Sequence, residues 1–364
     1  MGARGAALQR LTDRVMHARD AKIALDIRGG STKCFYGNAP HGDALDVREL
    51  AGITSYEPTE LVVTALAGTP LAELEAVLGD RGQCLPFEPP RFAAPGTVGG
   101  MVAAGLAGPA RASVGPLRDF VLGVTLLNGM GETLTFGGQV MKNVAGYDVS
   151  RLIAGSMGIL GVICQVSLKV MPSLPACRTL CFDLDEGAAL KQLNRWAGQA
   201  IPLSASAWYE GRLQVRLAGA NAAVAGVHER LGGRDIEPEV AHAWWSDVRD
   251  QHHPFFAIVD GDLQRGECLW RLSVPDTAPP LSLPGAQFIE WGGAQRWWRS
   301  AAPATIVRSA AAAVGGHATL VRAADKSPGA FAPLPQSLLH VHQRLKKAFD
   351  PEGIFNPGRM YPEL

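Results

Sequence analysis

The sequence predicts an α+β protein with two domains and a short C-terminal segment. Its 364 residues are long for a single domain. Segments with strand periodicity alternate with helical segments in the first half, where three clusters of glycine and other small residues also lie. The composition changes after residue 172, and all eight tryptophans follow that point. We therefore expect a first domain at residues 1–172, a smaller α+β domain at 173–332, and a helix and tail at 333–364.

The first domain is expected to begin with an amphipathic helix and to continue with short strands. Pro70 is suited to the first position of a second helix, and Leu71, Leu74 and Leu78 share one face of it. The last strand is an alternating run that ends at Pro172. The other predicted elements are a helix at 6–19, strands at 22–27, 44–47 and 61–65, a helix at 97–107, and strands at 121–127, 133–136 and 160–170.

The second domain is predicted to mix strands with helices, as is typical of an α+β domain. Four prolines between residues 275 and 284 indicate a loop there. An amphipathic helix is expected at 338–349, before the tail. The remaining predicted elements are strands at 213–217, 269–274 and 318–322 and helices at 221–231 and 241–249.

Composition argues against several functional classes. The chain has 34 basic residues (lysine and arginine) and 34 acidic residues (aspartate and glutamate). Because these charges balance, no global electrostatic field attracts the chain to nucleic acid or an anionic membrane. No run reaches the ~20 apolar residues that a bilayer span needs. The N-terminal segment lacks the apolar core of a secretory signal, so we expect a cytoplasmic protein that meets a membrane only through partners. The six cysteines are scattered without a C-x-x-C pair, so we expect no metal site.

The first glycine cluster is Arg28-Gly29-Gly30-Ser31-Thr32-Lys33, directly after a predicted strand. Successive N–H groups in such a turn, with the hydroxyls of Ser31 and Thr32, can bond phosphate oxygens. The spacing is neither the G-x-G-x-x-G dinucleotide fingerprint nor a P-loop. A glycine turn after a strand is also commonly a plain turn, so both interpretations stay open.

The second cluster, residues 95–105, contains Gly96, Thr97, Gly99, Gly100 and Ala104. Thr97 can hydrogen-bond a phosphate or the edge of a ring. The small residues leave a surface on which a flat ring system can lie, since no large side chain intervenes. They would equally permit a close helix–helix contact, and that alternative stays open.

The third cluster combines polar side chains with further glycines. It places a cation, an amide, a phenol and a carboxylate beside a glycine turn, in Lys142, Asn143, Gly146, Tyr147 and Asp148. A second part follows at residues 155–163, where backbone groups around Gly158, Gly161 and Ile163 can bond an adenine or a ribose. Three such clusters in this order indicate a backbone bent closely around a large flat ligand.

The order and spacing of the clusters resemble the FAD-binding domain of the vanillyl-alcohol oxidase and p-cresol methylhydroxylase (PCMH-type) superfamily. Within it, the chain resembles the FAD-binding subunits of bacterial glycolate oxidases over nearly its whole length. Segments 57–65, 85–90, 115–123 and 142–148 carry that similarity. The resemblance implies one FAD, with its diphosphate on the 28–33 loop and its isoalloxazine facing the second domain. It also implies that Asn356, in the Asn-Pro-Gly-Arg tail, returns beside the flavin.

The resemblance implies partners as well. In that family a D-type flavoprotein subunit oxidises glycolate to glyoxylate, and an F-type iron–sulfur subunit passes electrons to quinone. The chain would then be an FAD-binding subunit that is inactive alone. Two alternatives stay open: a self-sufficient FAD-dependent 2-hydroxy-acid dehydrogenase, and a structural subunit with a vestigial flavin site. Members with covalent flavin often carry a histidine in or near the first glycine loop, and residues 28–34 have none, so we expect non-covalent FAD.

A catalytic base is not evident. The D-type subunits resemble D-lactate dehydrogenases, which carry a His-x-Gly-Asp-Gly-Asn-x-His motif. The most similar segment in this chain, residues 315–322, has one histidine, His317, and lacks the aspartate and the second histidine of that motif. His252 and His253 are further candidates, because histidine can accept the hydroxyl proton of a substrate. The tryptophans are expected in the core or at a subunit interface.

Overall fold

The computed structural model describes residues 3–138 and 148–364. Its helices are numbered here in chain order. They are α1 (Ala3–Ala21), α2 (Leu71–Gly79), α3 (Val98–Ala104), α4 (Arg111–Val114), α5 (Val149–Ile153), α6 (Glu186–Ala197), α7 (Asn221–Leu231), α8 (Pro238–Asp250), α9 (Asp260–Gln264), α10 (Ala304–Ala313) and α11 (Gln336–Phe349).

The strands are numbered in the same way. They are β1 (Leu25–Arg28), β2 (Asp43–Asp46), β3 (Ile53–Glu57), β4 (Val62–Leu66), β5 (Gln83–Cys84), β6 (Val121–Leu127), β7 (Thr133–Gly137), β8 (Val162–Lys169), β9 (Met171–Pro172), β10 (Ala176–Asp183), β11 (Leu203–Tyr209), β12 (Arg212–Gly219), β13 (Arg234–Ile236), β14 (Cys268–Ser273), β15 (Ala286–Glu290), β16 (Gln295–Ser300) and β17 (His317–Arg322).

The chain divides into two compact units. The first comprises Met1–Leu106, Pro116–Pro172 and Pro333–Leu364, and the second comprises Ala107–Gly115 and Ser173–Ala332. The short segment before residue 116, which the sequence analysis assigned to the first domain, therefore packs with the second. Its local contacts explain this: the Trp291 indole N–H donates to the Gly108 carbonyl at 3.0 Å, and the Ser113 hydroxyl donates to the Ser204 carbonyl at 3.1 Å.

The first unit is built on a five-stranded antiparallel sheet with the order β3-β4-β8-β6-β7. Its central strand β8 is buried on both faces, not on one face as the alternating sequence predicts. The reason is that both sides are covered: Val162 and Cys164 pack in the cluster that includes α1, and Ile163, which alternates with them, is buried too. A parallel pair, β1 and β2, stands apart from this sheet, and β5 pairs with β9.

Helix α1 packs one face onto the first unit. Ala7, Leu11, Val15 and Ala18 recur at helical spacing and are all buried. They contact a core that includes Leu25 of β1 and Phe355 of the tail. No helix in the described part of the chain combines the length and apolar character that crossing a bilayer requires.

The second unit is an eight-stranded antiparallel sheet with helices against it. The strand order is β13-β10-β12-β11-β15-β16-β14-β17. Two apolar clusters hold the helices: α6 and α7 pack around Leu193 and Val224, and α10 packs around Val307. Five of the eight tryptophans are buried in this unit, namely Trp196, Trp245, Trp270, Trp297 and Trp298.

Candidate functional site

A cavity lies in the first unit where the first glycine loop, helix α3 and the C-terminal tail meet. Two adjoining pockets form it, and they share Ile27, Gly29, Gly100, Ala103, Met157 and Asn356. Most of the described predicted residues line it: Arg28, Gly29, Gly30, Ser31, Thr32, Lys33, Thr97, Gly99, Gly100, Ala104, Gly158, Gly161, Ile163 and Asn356. Residues far apart in sequence therefore surround one space.

The loop that follows strand β1 forms the first wall of the cavity. The chain leaves β1 at Arg28 and turns through two glycines into Ser31, which has a left-handed φ of 54°. A non-glycine residue in this region commonly marks a tight turn, and successive N–H groups in such a turn form a concavity that attracts anions. The two glycines are required here because the loop packs on residues 95–97: an added Cβ on Gly30 would lie 1.7 Å from the Pro95 carbonyl oxygen.

Helix α3 forms the second wall. Thr97 caps it by accepting from the Gly100 N–H at 3.2 Å, and Gly105 ends it with a left-handed φ of 63°. Gly99 packs on Ala67, the residue after β4, since an added Cβ would lie 2.6 Å from the Ala67 Cβ. Gly100 instead has only the Thr97 Oγ1 near the corresponding position, at 3.2 Å, and it lines the cavity. The small residues thus allow close packing at Gly99 and leave an open face on the cavity at Gly100.

The C-terminal tail forms the third wall. Asn356 accepts from the Ile27 N–H at 2.8 Å and donates to the Met157 carbonyl at 2.7 Å. The carboxamide therefore ties the first and third glycine segments together at the cavity. An added Cβ on Gly158 would lie 2.7 Å from the Asn356 Nδ2, so glycine is needed at that contact.

Arg359 is a cavity residue that the sequence alone does not predict. Its guanidinium donates to the Cys34 carbonyl at 3.1 Å, to the Lys33 carbonyl at 3.3 Å, and to the Asn38 carbonyl. Burial lowers the pKa of Arg359, although an arginine remains charged. The only signal in the sequence is its place in the Asn-Pro-Gly-Arg tail; the loop that it holds is more than 300 residues away.

The ionisable groups at the cavity give it a positive excess. Among the described lining residues, Arg28, Lys33 and Arg359 stand against one carboxylate, that of Asp26, and the thiol of Cys34. Arg28 donates to Asp26 at 2.6 Å, and this hydrogen bond raises the pKa of the exposed Arg28 guanidinium. An anionic group of a ligand would be favoured beside these cations.

Several predicted residues lie elsewhere. Gly96 is not a lining residue; its carbonyl accepts from the Leu71 N–H at 2.8 Å. Asp148 is also not a lining residue; it caps α5, accepting from the Arg151 N–H at 3.2 Å and the Ser150 hydroxyl at 2.9 Å. Four predicted positions fall outside the described residues: Lys142, Asn143, Gly146 and Tyr147.

The three candidate bases lie in the second unit. His252 is exposed, and His317 is exposed at the first position of β17. His253 is half-buried, and its Nδ1 accepts from the Phe255 N–H at 3.2 Å. Rings surround it, with the centroid of Phe288 at 5.2 Å, so burial lowers its pKa. Among the described residues, no group of three histidine, cysteine or carboxylate side chains could hold a metal ion.

Comparison with known proteins gives the family. Residues 7–137 match the FAD binding domain family. The chain is 46% identical to the glycolate oxidase subunit GlcE of Escherichia coli K12, over 98% of both chains. The chain belongs to the GlcE family. The predicted family, the PCMH-type α+β fold class and FAD as the cofactor are thereby confirmed.

More distant relatives share parts of the chain. The glycolate oxidase subunit GlcD of Bacillus subtilis is 28% identical over 50% of this chain and 39% of its own length. A D-2-hydroxyglutarate dehydrogenase of Xanthomonas citri pv. viticola is 25% identical over 71% of this chain and 57% of its own. The solved structure of an alkyldihydroxyacetonephosphate synthase superposes with a TM-score of 0.63 at 15% identity, covering 96% of this chain and 75% of that one. This last similarity shows the fold alone.

Proposed function

We propose that this chain is the FAD-carrying subunit of a multi-subunit enzyme that oxidises glycolate to glyoxylate. The observation that carries the proposal is the cavity in which the first glycine loop, α3 and the tail meet, in a chain of the GlcE family. FAD supplies the acceptor for the two electrons of a 2-hydroxy acid. The chain's own residues would bind that cofactor and set its environment.

The lining residues fit the different parts of an FAD. The loop after β1, with its left-handed Ser31 and nearby Lys33, would hold the diphosphate. Gly100 would leave room for a flat ring, because no side chain extends from that position. Asn356 would connect the first glycine loop to the third glycine segment, and Arg359 would hold the first loop in place. Both contacts would keep the cavity preformed.

The lining does not supply the acid–base groups that alcohol oxidation needs. A base must take the hydroxyl proton of the substrate. The described lining residues include no histidine, and their one carboxylate, Asp26, is paired with Arg28. We therefore propose that a D-type flavoprotein subunit meets the substrate and that an F-type iron–sulfur subunit accepts the electrons. The chain would be inactive alone.

Anaerobic addition of glycolate tests this division of labour. The purified chain, loaded with FAD, should keep its oxidised flavin spectrum when glycolate is added. When the same chain is co-expressed with D- and F-type subunits, glycolate should bleach the flavin absorbance. Prompt bleaching of the isolated chain would instead support a self-sufficient 2-hydroxy-acid dehydrogenase, with His252, His253 or His317 as candidate bases.

The mode of FAD attachment is tested separately. The first glycine loop, 28–34, contains no histidine to which a flavin could be joined. Acid precipitation should therefore release all the flavin into the supernatant. Colour that stays in the protein pellet would contradict non-covalent binding.

A further inference from the structure

Lys33 lies on the rim of the cavity with its ammonium group against an aromatic ring. Its Nζ is 5.6 Å from the centroid of Phe92 and donates to the Thr32 Oγ1 at 3.3 Å. A cation within about 6 Å of a ring centroid is attracted by the ring face. Phe92 is not itself a lining residue of the cavity. Its contact with the lining residue Lys33 places it to act on a ligand there through that side chain.

Phe92 has an unusual backbone conformation. Its φ is 59°, a value that is an outlier for a bulky side chain. Such strain persists only where the surroundings hold it, and it clusters at ligand-binding sites. The holding contacts are visible: Phe35 packs edge-on against Phe92, with centroids 5.0 Å apart and planes at 82°, and neighbouring Arg91 pairs with Glu75 at 2.7 Å.

We propose that Phe92, held by Phe35, is a positioning residue that keeps the Lys33 ammonium on the cavity rim for the diphosphate of FAD. This inference rests on the proposed function, in which FAD occupies the cavity. A free lysine side chain loses rotamer entropy when it is fixed on a ligand. A ring that fixes it beforehand removes part of that cost from binding. Phe92 would then act on the phosphate-bearing part of the cofactor and not on the flavin ring.

A double-mutant cycle tests the proposal. FAD and riboflavin, which lacks phosphate, are titrated by flavin fluorescence into the wild-type chain, Phe92→Ala, Lys33→Met and the double variant. Lys33→Met should weaken FAD binding about 10-fold, and Phe92→Ala about 5-fold. The double variant should be no weaker than Lys33→Met, since Phe92 acts through Lys33. Riboflavin binding should be unchanged in all of them.

Salt gives a second readout that a purely structural role would not move. Added NaCl should weaken FAD binding to the wild-type chain, because salt screens the attraction between lysine and phosphate. That dependence should be shallower in both Lys33→Met and Phe92→Ala. Phe92→Tyr, which keeps the ring, should behave like wild type. Arg81→Ala is the control, because Arg81 is an exposed cation of the first unit that lines neither pocket, and it should keep the wild-type salt dependence.

Some outcomes would overturn the inference. Additive losses in the double variant, an equal loss of riboflavin binding, or an unchanged salt dependence in Phe92→Ala would assign Phe92 a structural role only. Thermal melts of each variant identify loss of fold. If wild-type chain takes up no FAD, the proposed function itself fails, and that result is distinct from one in which wild type binds and Phe92 has no effect.

Discussion

At the scale of single residues, the glycines of the cavity perform two different tasks. Gly30 allows the first loop to lie against residue 95, because an added Cβ would meet the Pro95 carbonyl oxygen at 1.7 Å. Gly100 faces open space apart from the Thr97 Oγ1. Substitution at the first position should therefore damage the fold, whereas substitution at the second should damage ligand binding.

Gly100→Leu should abolish FAD binding and leave the chain folded. The new side chain would project into the cavity, while leucine in a helix is favoured over glycine by up to about 1 kcal/mol. Gly100→Ala is the control, since it adds only a methyl group. Flavin fluorescence titration and thermal melting would separate binding from stability. FAD binding by Gly100→Leu equal to wild type would place the cofactor elsewhere.

Cys34 can report on occupancy of the cavity. Its thiol is exposed and lines the cavity. An alkylating reagent should modify Cys34 in the apoprotein, and saturating FAD should slow that modification about 10-fold or more by blocking access. Exposed Cys177 should react equally with and without FAD. Buried Cys164, whose pKa burial raises to about 12, should stay unmodified. Peptide mass spectrometry would measure each site, and equal labelling of Cys34 in both states would contradict the cavity assignment.

His253 should make the second unit sensitive to acid. Burial lowers its pKa below the ordinary 6.5, although Asp247 and Glu210 oppose the shift. The unfolded chain therefore binds the proton more readily, so stability is complete above pH 6.5 and falls as the pH drops through that value toward the folded pKa. His253→Asn, which can still accept from the Phe255 N–H, should lose less stability between pH 7 and pH 5.

Urea midpoints at each pH would measure this effect. His317 remains in the variant with its own lowered pKa, so the pH dependence of stability should be reduced only in part. His252→Asn, at an exposed neighbour, is the control and should keep the wild-type profile. An unchanged profile in His253→Asn would show that other groups set the acid sensitivity.

At the scale of elements, a buried ion pair links the C-terminal helix to the tail and to the third glycine segment. Lys346 of α11 donates to Asp350 at 2.7 Å, and also to the carbonyls of Ile159 at 2.8 Å and Phe355 at 2.7 Å. Asp350 in turn accepts from the backbone N–H groups of Ile354 and Phe355. Every partner of the pair is therefore part of the tail or of the third glycine segment.

Lys346→Met should destabilise the first unit by about 3–5 kcal/mol, because it leaves the Asp350 carboxylate buried without its cation. FAD binding should weaken as well, since Asn356 and Arg359 follow directly in the tail. Exposed Lys347→Met, one residue on, is the matched control and should change neither property. Urea unfolding and FAD titration would measure both. A loss below about 1 kcal/mol would show that the pair is not essential to the tail.

Strong periodicity made some elements predictable. The strand at 121–127 and the helix at 221–231 were predicted with the observed bounds of β6 and α7. Strands β10, β11, β15 and β16 were not predicted. In β16 five of six residues are buried, so both faces are covered and no alternation of polar and apolar residues marks the strand. Its Arg296 is fully buried and donates to three backbone carbonyls, a compensation that appears only in the folded structure.

At the scale of the whole molecule, local clusters were easier to foresee than their long-range partners. The glycine loop and α3 could be predicted as cavity walls because their signal lies within a few consecutive residues. The bracing role of Arg359 could not, because its partners Lys33 and Cys34 are more than 300 residues away in sequence. The placement of residues 107–115 in the second unit likewise depends on contacts with Trp291 and Ser204.

If the cavity of the first unit is the cofactor site, one chain of this protein holds one FAD there. Titrating the isolated, folded apoprotein with FAD, followed by visible absorbance, tests that claim most directly. We expect saturation at about one equivalent of FAD per chain, with the spectrum of an oxidised, protein-bound flavin. A folded chain that remains colourless through a large excess of FAD would contradict it.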